Sequence, residues 1–296
     1  MRVLVTGANG LLGQKLLELL ESNPRVELFA TTRSVVDLPF RAAFHRLDIT
    51  DEAGVHKTIS TLRPDVVIHT AAMTQVDACE QDREACWRVN VDGVGNLVRA
   101  CDNLPCHFIY LSTDFIFSGD HGPLTEEDEP RPVNFYGESK LEAEEIVRTM
   151  TGKWSIVRTV LMYGITQDMR RSNIVLWVKE NLQQGKTIRV VNDQWRTPTL
   201  AEDLAMGCWL VADKGVAGVF HISGKDMLSP YQIAIRTSEY YELDASLIVP
   251  VGSDELQQPA RRPLKTGFII NKARKELGYE PRSFDEGMAI MAGQIV

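Results

Sequence analysis

Apolar segments alternate with amphipathic ones through the first half of the chain. Segments that lack polar alternation predict buried strands, at residues 2–6, 26–31, 65–69 and 108–112. Apolar residues at helical spacing predict helices between them, at residues 11–21, 51–62 and 80–101. Strands that are apolar throughout and separated by helices are typical of a parallel sheet covered on both faces. The sequence therefore predicts an α/β fold built on a doubly wound parallel sheet, the Rossmann architecture.

The pattern becomes less regular in the second half of the chain. Glycine, proline and acidic residues at 120–132 predict a surface loop, which a helix at 136–150 and a strand at 155–159 follow. Beyond residue 160 we predict helices at 173–183, 200–212, 230–241 and 284–291, and strands at 188–191 and 219–222. We therefore expect a dinucleotide-binding Rossmann domain over residues 1–160. A smaller C-terminal α/β lobe that mainly binds substrate is expected over residues 161–296. Some segments of this range could belong to the Rossmann sheet instead.

The bulk composition excludes several classes of protein. With 44% hydrophobic and 24% charged residues among 296, the chain has the composition of a globular protein with a sizeable core. A formal net charge of −8 leaves no basic excess to displace counterions, so no nucleic-acid partner is expected. No apolar run approaches the roughly 18 residues that span a bilayer. No leader-like segment precedes the first strand, so we expect a cytoplasmic protein with no membrane partner.

The cysteines and histidines do not form a metal-binding pattern. The five cysteines are an odd number without a CxxC pair, so we expect reduced thiols rather than disulfides or a zinc site. Five of the six histidines also lack the spacing of metal ligands, and His69 is expected near the cofactor through its backbone only. No metal site is predicted.

A glycine-rich turn follows the first predicted strand and opens the first predicted helix. Its glycines have the spacing G-x-x-G-x-x-G, which permits a sharp turn, close approach of the backbone to a pyrophosphate and close helix packing. The free N–H groups of the helix N-terminus would then face the phosphates. A tight turn without a ligand is the alternative. We predict a dinucleotide site, with cofactor contacts at Gly7, Asn9, Gly10, Leu11, Leu12 and Gly13.

The residues after the second strand bear on which dinucleotide binds. Many NAD sites place an acidic residue there, whereas this chain has Arg33, which can pair with a 2′-phosphate in a bidentate way. We therefore favour NADPH (NADP), with NADH (NAD) as the alternative; Arg33 as a solvated surface charge is the competing interpretation. Further cofactor contacts are expected from Asp48 and Ile49 at the end of the third strand, and from Ala71 and Ala72.

A tyrosine and a lysine lie four residues apart at the start of a predicted helix. Tyr136 and Lys140 therefore project from one helix face. A free phenol has a pKa of about 10, and a nearby ammonium group stabilises the phenolate and lowers that pKa toward neutrality. The Y-x-x-x-K spacing alone is common. Thr113 at the end of the strand 108–112 strengthens it, because that end borders the crevice of an open α/β sheet. We predict that these three residues are catalytic.

These segments together resemble a known superfamily. Residues 7–13 (GANGLLG), 69–72 (HTAA), 112–114 (STD) and 136–140 (YGESK) resemble the extended short-chain dehydrogenase/reductases, over nearly the whole chain. Within that superfamily the chain is most similar to the dTDP-4-dehydrorhamnose reductases, through residues 72–80, 112–117, 157–159, 192–199 and 262–263. The resemblance implies hydride transfer to C4 of a 4-keto deoxysugar nucleotide, giving a product such as dTDP-L-rhamnose. Tyr136 would donate the proton, Lys140 would lower its pKa, and Thr113 would bond the same oxygen.

The substrate site implied by the resemblance departs from the family at several positions. The family usually has Tyr at Phe115 and often Trp at Leu161, and its loop has a small or different side chain at Trp195. Glu202 matches a magnesium-binding glutamate that some members use at a dimer contact, but Lys15 stands where another carboxylate would lie. A homodimer is plausible without metal. We place substrate contacts at Thr74, Val76, Asp114, Phe115, Asn173, Trp195 and Arg262, the last toward the pyrophosphate or in a surface ion pair.

Three alternatives share this fold. Dehydratases pair the strand-end threonine with an Asp-Glu couple, and since Phe115 follows Asp114, elimination is disfavoured. An epimerase, which reuses Tyr136 and Lys140 with tightly held cofactor, stays open. The third is a dinucleotide-binding subunit without catalysis, resembling the regulatory β-subunit of methionine adenosyltransferase; the intact Thr113, Tyr136 and Lys140 favour an enzyme.

Overall fold

The structure, a computed structural model, describes residues 1–34, 38–166 and 173–294. Strands and helices alternate up to residue 148: β1 (Arg2–Thr6), α1 (Leu11–Leu20), β2 (Glu27–Thr32), β3 (Ala43–Arg46), α2 (Glu52–Leu62), β4 (Val66–His69), α3 (Val76–Gln81), α4 (Arg83–Trp87), α5 (Gly93–Asp102), β5 (His107–Thr113) and α6 (Phe135–Arg148). The second half adds β6 (Trp154–Thr159), β7 (Met162–Tyr163), α7 (Ile174–Gln183), β8 (Ile188–Val191), β9 (Thr199–Leu200), α8 (Ala201–Lys214), β10 (Gly218–His221), α9 (Pro230–Tyr240), β11 (Ile248–Val251), α10 (Asn271–Leu277) and α11 (Phe284–Gln294).

The central sheet has seven described strands in the order β10-β6-β5-β4-β1-β2-β3, and every pairing is parallel. The strand order reverses between β1 and β4, which opens a crevice at the carboxyl ends of the strands. The predicted doubly wound Rossmann fold is therefore confirmed.

Both faces of the sheet are buried, which explains why its strands are apolar without alternation. Val3 and Val5 of β1 pack on one face with the apolar residues of α1 and α8, whereas Leu4 packs on the other with those of α2, α5 and α6. The helix α8 comes from the second half of the chain and packs directly against α1. Likewise β10 pairs with β6 and joins the central sheet. The proposed division of the chain near residue 160 stays a prediction.

The single helix predicted at residues 80–101 is wrong. The structure divides this stretch into α3, α4, a π-helical turn at Arg88–Asp92 and α5. Asp82 is the cause of the first break, because its carboxylate accepts a hydrogen bond from the backbone N–H of Ala85 at 3.0 Å and so starts a new helix. The π-helical turn carries Asn90, which is buried.

We call the elements and loops after residue 160 that do not join the central sheet the C-terminal lobe; α10 instead packs on α8 and β10. Helices α7 and α9 pack on the parallel pair β8 and β11, with a core of their own. Two loops of this lobe, at residues 192–198 and 256–270, run side by side and bond through the backbone of Trp195 and Leu264 at 2.6 Å. These loops reach the end of β5. Among the described residues, no helix has the length and apolar character to cross a membrane.

Candidate active site

The glycine turn between β1 and α1 is packed too closely for side chains. Gly7 has φ +67°, and a Cβ there would lie 2.6 Å from the backbone nitrogen of Ala71. A Cβ on Gly13 would overlap the carbonyl oxygen of Gly7 and lie 2.7 Å from Cα of Ala8. The turn is closed by a hydrogen bond of 2.9 Å from the Gly10 N–H to the Gly7 carbonyl. The end of β4 and the start of α1 therefore meet at this turn.

The N-terminus of α1 faces the crevice with its backbone donors. Gly10 occupies the N-cap and supplies no side chain to bond the first N–H groups of the helix. Asn9 and Gly10 are exposed, and Leu11 is half-buried. Leu12 is buried in the core with the sheet, so only its backbone can face a cofactor. This arrangement suits an anionic group such as a pyrophosphate.

The predicted adenosine contacts lie at the ends of β2, β3 and β4. Arg33 is exposed directly after β2. Asp48 is exposed, and hydrogen bonds from the backbone and hydroxyl of Thr50, at 3.0 and 2.8 Å, hold its pKa below the usual range. Ile49 is buried, with its carbonyl bonded to Asn96 at 2.9 Å. The structure brings these residues to one edge of the sheet, together with the half-buried Ala71 and Ala72.

The structure brings Tyr136 next to Thr113. Asn134 caps α6 by accepting a hydrogen bond from the Gly137 N–H at 2.9 Å, and this fixes the first turn that carries Tyr136. The tyrosine side chain is buried, and the neighbouring Thr113 hydroxyl acts to lower the pKa of its phenol. Burial raises the pKa of the Tyr136 phenol above its usual value, so the phenol is protonated at neutral pH.

Lys140 lies one helical turn beyond Tyr136 and is also buried. Its ammonium group donates to the Leu111 carbonyl at 2.7 Å and lies 4.2 Å from the ring centroid of Tyr110. Burial lowers the pKa of Lys140 to about 7, an effect that the carboxylate of Glu144 opposes. The neutral phenol and the partly charged ammonium group therefore both lie at the end of β5. If Tyr136 donates its proton there, the positive charge of Lys140 stabilises the phenolate that remains.

Asp114 is turned away from the crevice and into the contact with the C-terminal lobe. Its carboxylate accepts hydrogen bonds from the hydroxyl of Thr266 and, at 3.3 Å, from that of Thr113, and it pairs with the guanidinium of Arg196 at 3.3 Å. Burial raises the pKa of Asp114, and Arg196 opposes that effect. A substrate could reach Asp114 only by displacing these partners, so the predicted substrate contact stays a prediction.

The other predicted substrate residues lie around the crevice in different settings. The ring of Phe115 meets that of Tyr136 edge-on, with centroids 5.8 Å apart. Arg262 forms a bidentate ion pair with Asp77 at 2.5 and 2.7 Å, which favours the surface-ion-pair interpretation in the free protein. Asn173 caps α7 by accepting hydrogen bonds from two backbone N–H groups. Thr74 is exposed, and Val76 and Trp195 are half-buried.

Sequence reasoning assigned no role to Arg196 or Thr266. Both hold Asp114 from loops that are 82 and 152 residues further along the chain. The available signal was a charged residue inside the otherwise uncharged stretch Trp195–Thr199, but spacing does not reveal its partner. Asn90 bonds a neighbouring segment: its side-chain amide accepts from the Met73 N–H at 2.8 Å and donates to the Met73 carbonyl at 3.0 Å.

The side chain of Lys15 lies beside Glu202 and supplies a positive charge there. Lys15 Nζ lies 2.8 Å from a carboxylate oxygen of Glu202 and 3.1 Å from one of Glu18. No group of three or more His, Cys, Asp or Glu side chains that could hold a metal occurs within the described ranges. All five cysteines are buried and free of disulfide bonds.

Comparison with known proteins decides the family. The family described as the RmlD substrate binding domain matches residues 1–295. The chain belongs to this family. It is 33% identical to a probable low-salt glycan biosynthesis reductase, Agl14, of Haloferax volcanii, over 98% of this chain and 97% of that protein. It is 30% identical to the methionine adenosyltransferase 2 subunit beta of Bos taurus, over 88% of this chain and 78% of that protein.

A solved structure of this family agrees with the fold and the resemblance. The dTDP-4-dehydrorhamnose reductase of Bacillus anthracis, in complex with NADP, superposes with a TM-score of 0.87 and is 29% identical, with 99% of each chain covered. The resemblance to the extended short-chain dehydrogenase/reductases, and among them to the dTDP-4-dehydrorhamnose reductases, is therefore confirmed.

Proposed function

We propose that this protein is an NADPH-dependent reductase that converts a 4-keto deoxysugar nucleotide, dTDP-4-dehydro-L-rhamnose, to its 4-hydroxy product, dTDP-L-rhamnose. One observation carries the proposal: at the carboxyl end of β5, the Thr113 hydroxyl lies close enough to the buried Tyr136 phenol to lower its pKa, with Lys140 one turn away on the same helix. The reductases of Haloferax volcanii and Bacillus anthracis support the reaction class.

The cradle for the cofactor fits a dinucleotide. The turn at residues 7–13 excludes side chains, and the uncapped N-terminus of α1 offers backbone donors to a pyrophosphate. We assign the 2′-phosphate to Arg33, and the adenine to Asp48 and Ile49. NADP in the Bacillus anthracis relative supports this choice. When bound, NADPH supplies the hydride for the reduction.

The residues at the end of β5 provide the proton and hold the substrate carbonyl. Tyr136 is protonated at neutral pH because its phenol pKa is raised, so it has a proton to donate to the oxygen that becomes an alkoxide. The charge of Lys140 stabilises the phenolate that remains. The Thr113 hydroxyl bonds the same oxygen after rotating away from Asp114, its acceptor in the free protein. Phe115 contributes an apolar wall beside the phenol.

A second candidate function follows from the bovine relative, which is named as a subunit of another enzyme. In that case the chain would bind the dinucleotide and act as a partner protein without turnover. The joint presence of Thr113, Tyr136 and Lys140 at the end of β5 favours catalysis. An epimerase would use the same three residues but would need no added reductant.

The decisive experiment measures the loss of NADPH absorbance with dTDP-4-dehydro-L-rhamnose and with other 4-keto sugar nucleotides. We expect turnover with added NADPH, and about a 100-fold or greater loss of kcat in Tyr136→Phe. That variant keeps the ring, so NADPH binding measured by fluorescence serves as its control. Undiminished turnover in Tyr136→Phe would refute the acid role. Binding of NADPH without oxidation by any of these substrates would instead support the partner protein.

A further inference from the structure

Arg196 is a buried cation fixed by the backbone of the C-terminal lobe. Its Nη1 donates to the carbonyls of Trp195 and Leu264 at 2.9 and 3.1 Å, and its Nη2 donates to that of Pro263 at 2.5 Å. The side chain is only 4% exposed. These bonds leave Nε directed at Asp114, 3.3 Å from Oδ2. The guanidinium therefore has one orientation, and it presents its charge to the residue that follows Thr113.

Asp114 passes the effect of this cation to the Thr113 hydroxyl. The carboxylate is 2% exposed, and a charge so deeply buried needs compensation by an opposite charge and hydrogen bonds. Arg196 and Thr266 occupy Oδ2, while Oδ1 accepts the proton of the Thr113 hydroxyl at 3.3 Å. In the free protein this buried carboxylate thus holds the Thr113 hydroxyl in place.

A hydroxyl carries one proton, so the acceptor to which Thr113 donates determines which other hydrogen bonds that hydroxyl can form. Because Thr113 donates to Asp114, its lone pairs face other donors. One of these donors is the backbone N–H of Phe115 at 3.2 Å. The same hydroxyl also lowers the pKa of the neighbouring Tyr136 phenol, as a hydrogen bond to the phenolate does. The chain of contacts therefore runs from Arg196 through Asp114 and Thr113 to the phenol of Tyr136.

We propose that Arg196 is a positioning residue of the reductase: acting through Asp114, it aligns the Thr113 hydroxyl with Tyr136 and balances the negative charge beside the phenol. The proposal rests on the proposed function. It also explains why loops of the C-terminal lobe reach the end of β5, since both Arg196 and Thr266 come from those loops.

The charges around Tyr136 determine the direction in which its pKa changes when Arg196 is removed. Asp114 faces it from the end of β5, Cys79 and Cys86 face it from α3 and α4, and Lys140 follows on its own helix. Asp114 raises the pKa of the Tyr136 phenol, as do both thiols. Where Asp114 is ionised in the absence of Arg196, its charge acts on the phenol without compensation. The pKa of Tyr136 therefore rises further.

The test compares Arg196→Gln with Asp114→Asn, with the double variant and with Arg189→Gln, a matched control whose exposed side chain pairs with Glu255. For Arg196→Gln we expect kcat for NADPH oxidation to be about tenfold lower and KM for NADPH to be unchanged. The alkaline limb of the pH profile of kcat is expected about one pH unit higher. The double variant carries no unpaired buried charge, so it is expected to recover most of kcat and the original limb. Arg189→Gln is expected to match the wild type.

Each other outcome overturns the proposal. A fall in activity for Arg196→Gln with an unmoved limb and no recovery in the double variant would mean a purely structural role. If Arg196→Gln does not fold, Thr266→Val removes only the hydroxyl donor and is expected to shift the limb in the same direction by less, whereas an unmoved limb there refutes the idea. Wild-type protein that oxidises no NADPH identifies failure of the proposed function itself; active wild type with indifferent variants identifies failure of this inference alone.

Discussion

The two sides of the crevice are built by different means. On the cofactor side, the turn at residues 7–13 is backbone packed against backbone, with Gly7 against Ala71 and Gly13 against Ala8. On the substrate side, side chains connect the end of β5 to the loops of the C-terminal lobe, through Asp114, Arg196 and Thr266. The first side depends on residues close in sequence or on adjacent strands, and the second on buried charges from distant loops. The two sides should therefore respond differently to substitution.

The largest effect is expected on the backbone-built side, from Gly7→Ala. A Cβ at this position would lie 2.6 Å from the Ala71 nitrogen on a backbone with φ +67°. We expect NADPH affinity to fall about 100-fold or more, and the free energy of unfolding to fall by roughly 3 kcal/mol. Isothermal titration and urea denaturation measure the two effects.

Gly185→Ala is the control for Gly7→Ala. Its φ of +65° is nearly the same, but a Cβ there would meet no atom within 4 Å. It therefore reports the conformational strain alone, which is about 1 kcal/mol. Equal losses in the two variants would show that close packing contributes nothing to the turn.

A smaller effect, dependent on pH, is expected from Lys140 on the side-chain-built side. Burial lowers its pKa from 10.5 to about 7, so between these values the unfolded chain binds a proton that the folded protein has released. The contribution of Lys140 to the free energy of unfolding therefore rises with pH, by up to about 1.4 kcal/mol per pH unit in that window.

The difference in the free energy of unfolding between wild type and Lys140→Met isolates the contribution of Lys140. Other groups that titrate in the same range are common to both proteins and cancel in that difference. Urea denaturation at pH 7 and pH 9 is expected to show wild type gaining about 2 kcal/mol relative to the variant. An unchanged difference between the two proteins would contradict the lowered pKa.

The smallest effect is expected at Arg33, where an exposed side chain meets solvent. Arg33→Ala is expected to weaken NADPH binding about tenfold and to leave NADH binding nearly unchanged, since only NADPH carries the 2′-phosphate. Arg25→Ala is the matched control, because Arg25 is exposed and pairs with Asp213. Equal weakening for both cofactors would remove the assigned phosphate contact.

The sheet and the glycine turn could be predicted because their signals are local. Strands buried on both faces are apolar throughout, and the glycines fall between a strand and a helix. The helix at 80–101 was mispredicted since apolar spacing continues across Asp82, whose carboxylate caps a new helix, and across the π-helical turn at Arg88–Asp92. Asn173 shows a signal that was available but assigned otherwise: an asparagine directly before a helix is a preferred cap.

The contacts that hold the substrate side could not be predicted. Asp114 meets Thr266 across 152 residues, and Asp77 meets Arg262 across 185. No periodicity links such residues, because their proximity depends on where the loops of the C-terminal lobe cross the sheet edge. Spacing identified Tyr136 and Lys140 as a pair, but Arg196 needed the structure.

The packing of α8 against α1 has a consequence for synthesis of the protein. Leu16 and Leu17 of α1 are fully covered in the finished fold, in a core to which α8 contributes Leu204 and Cys208. At roughly 5–20 residues per second, translation delivers α8 only about ten seconds or more after α1. During that interval the nascent chain exposes an apolar helix face. This face of the sheet therefore reaches its final packing only after synthesis has passed residue 214.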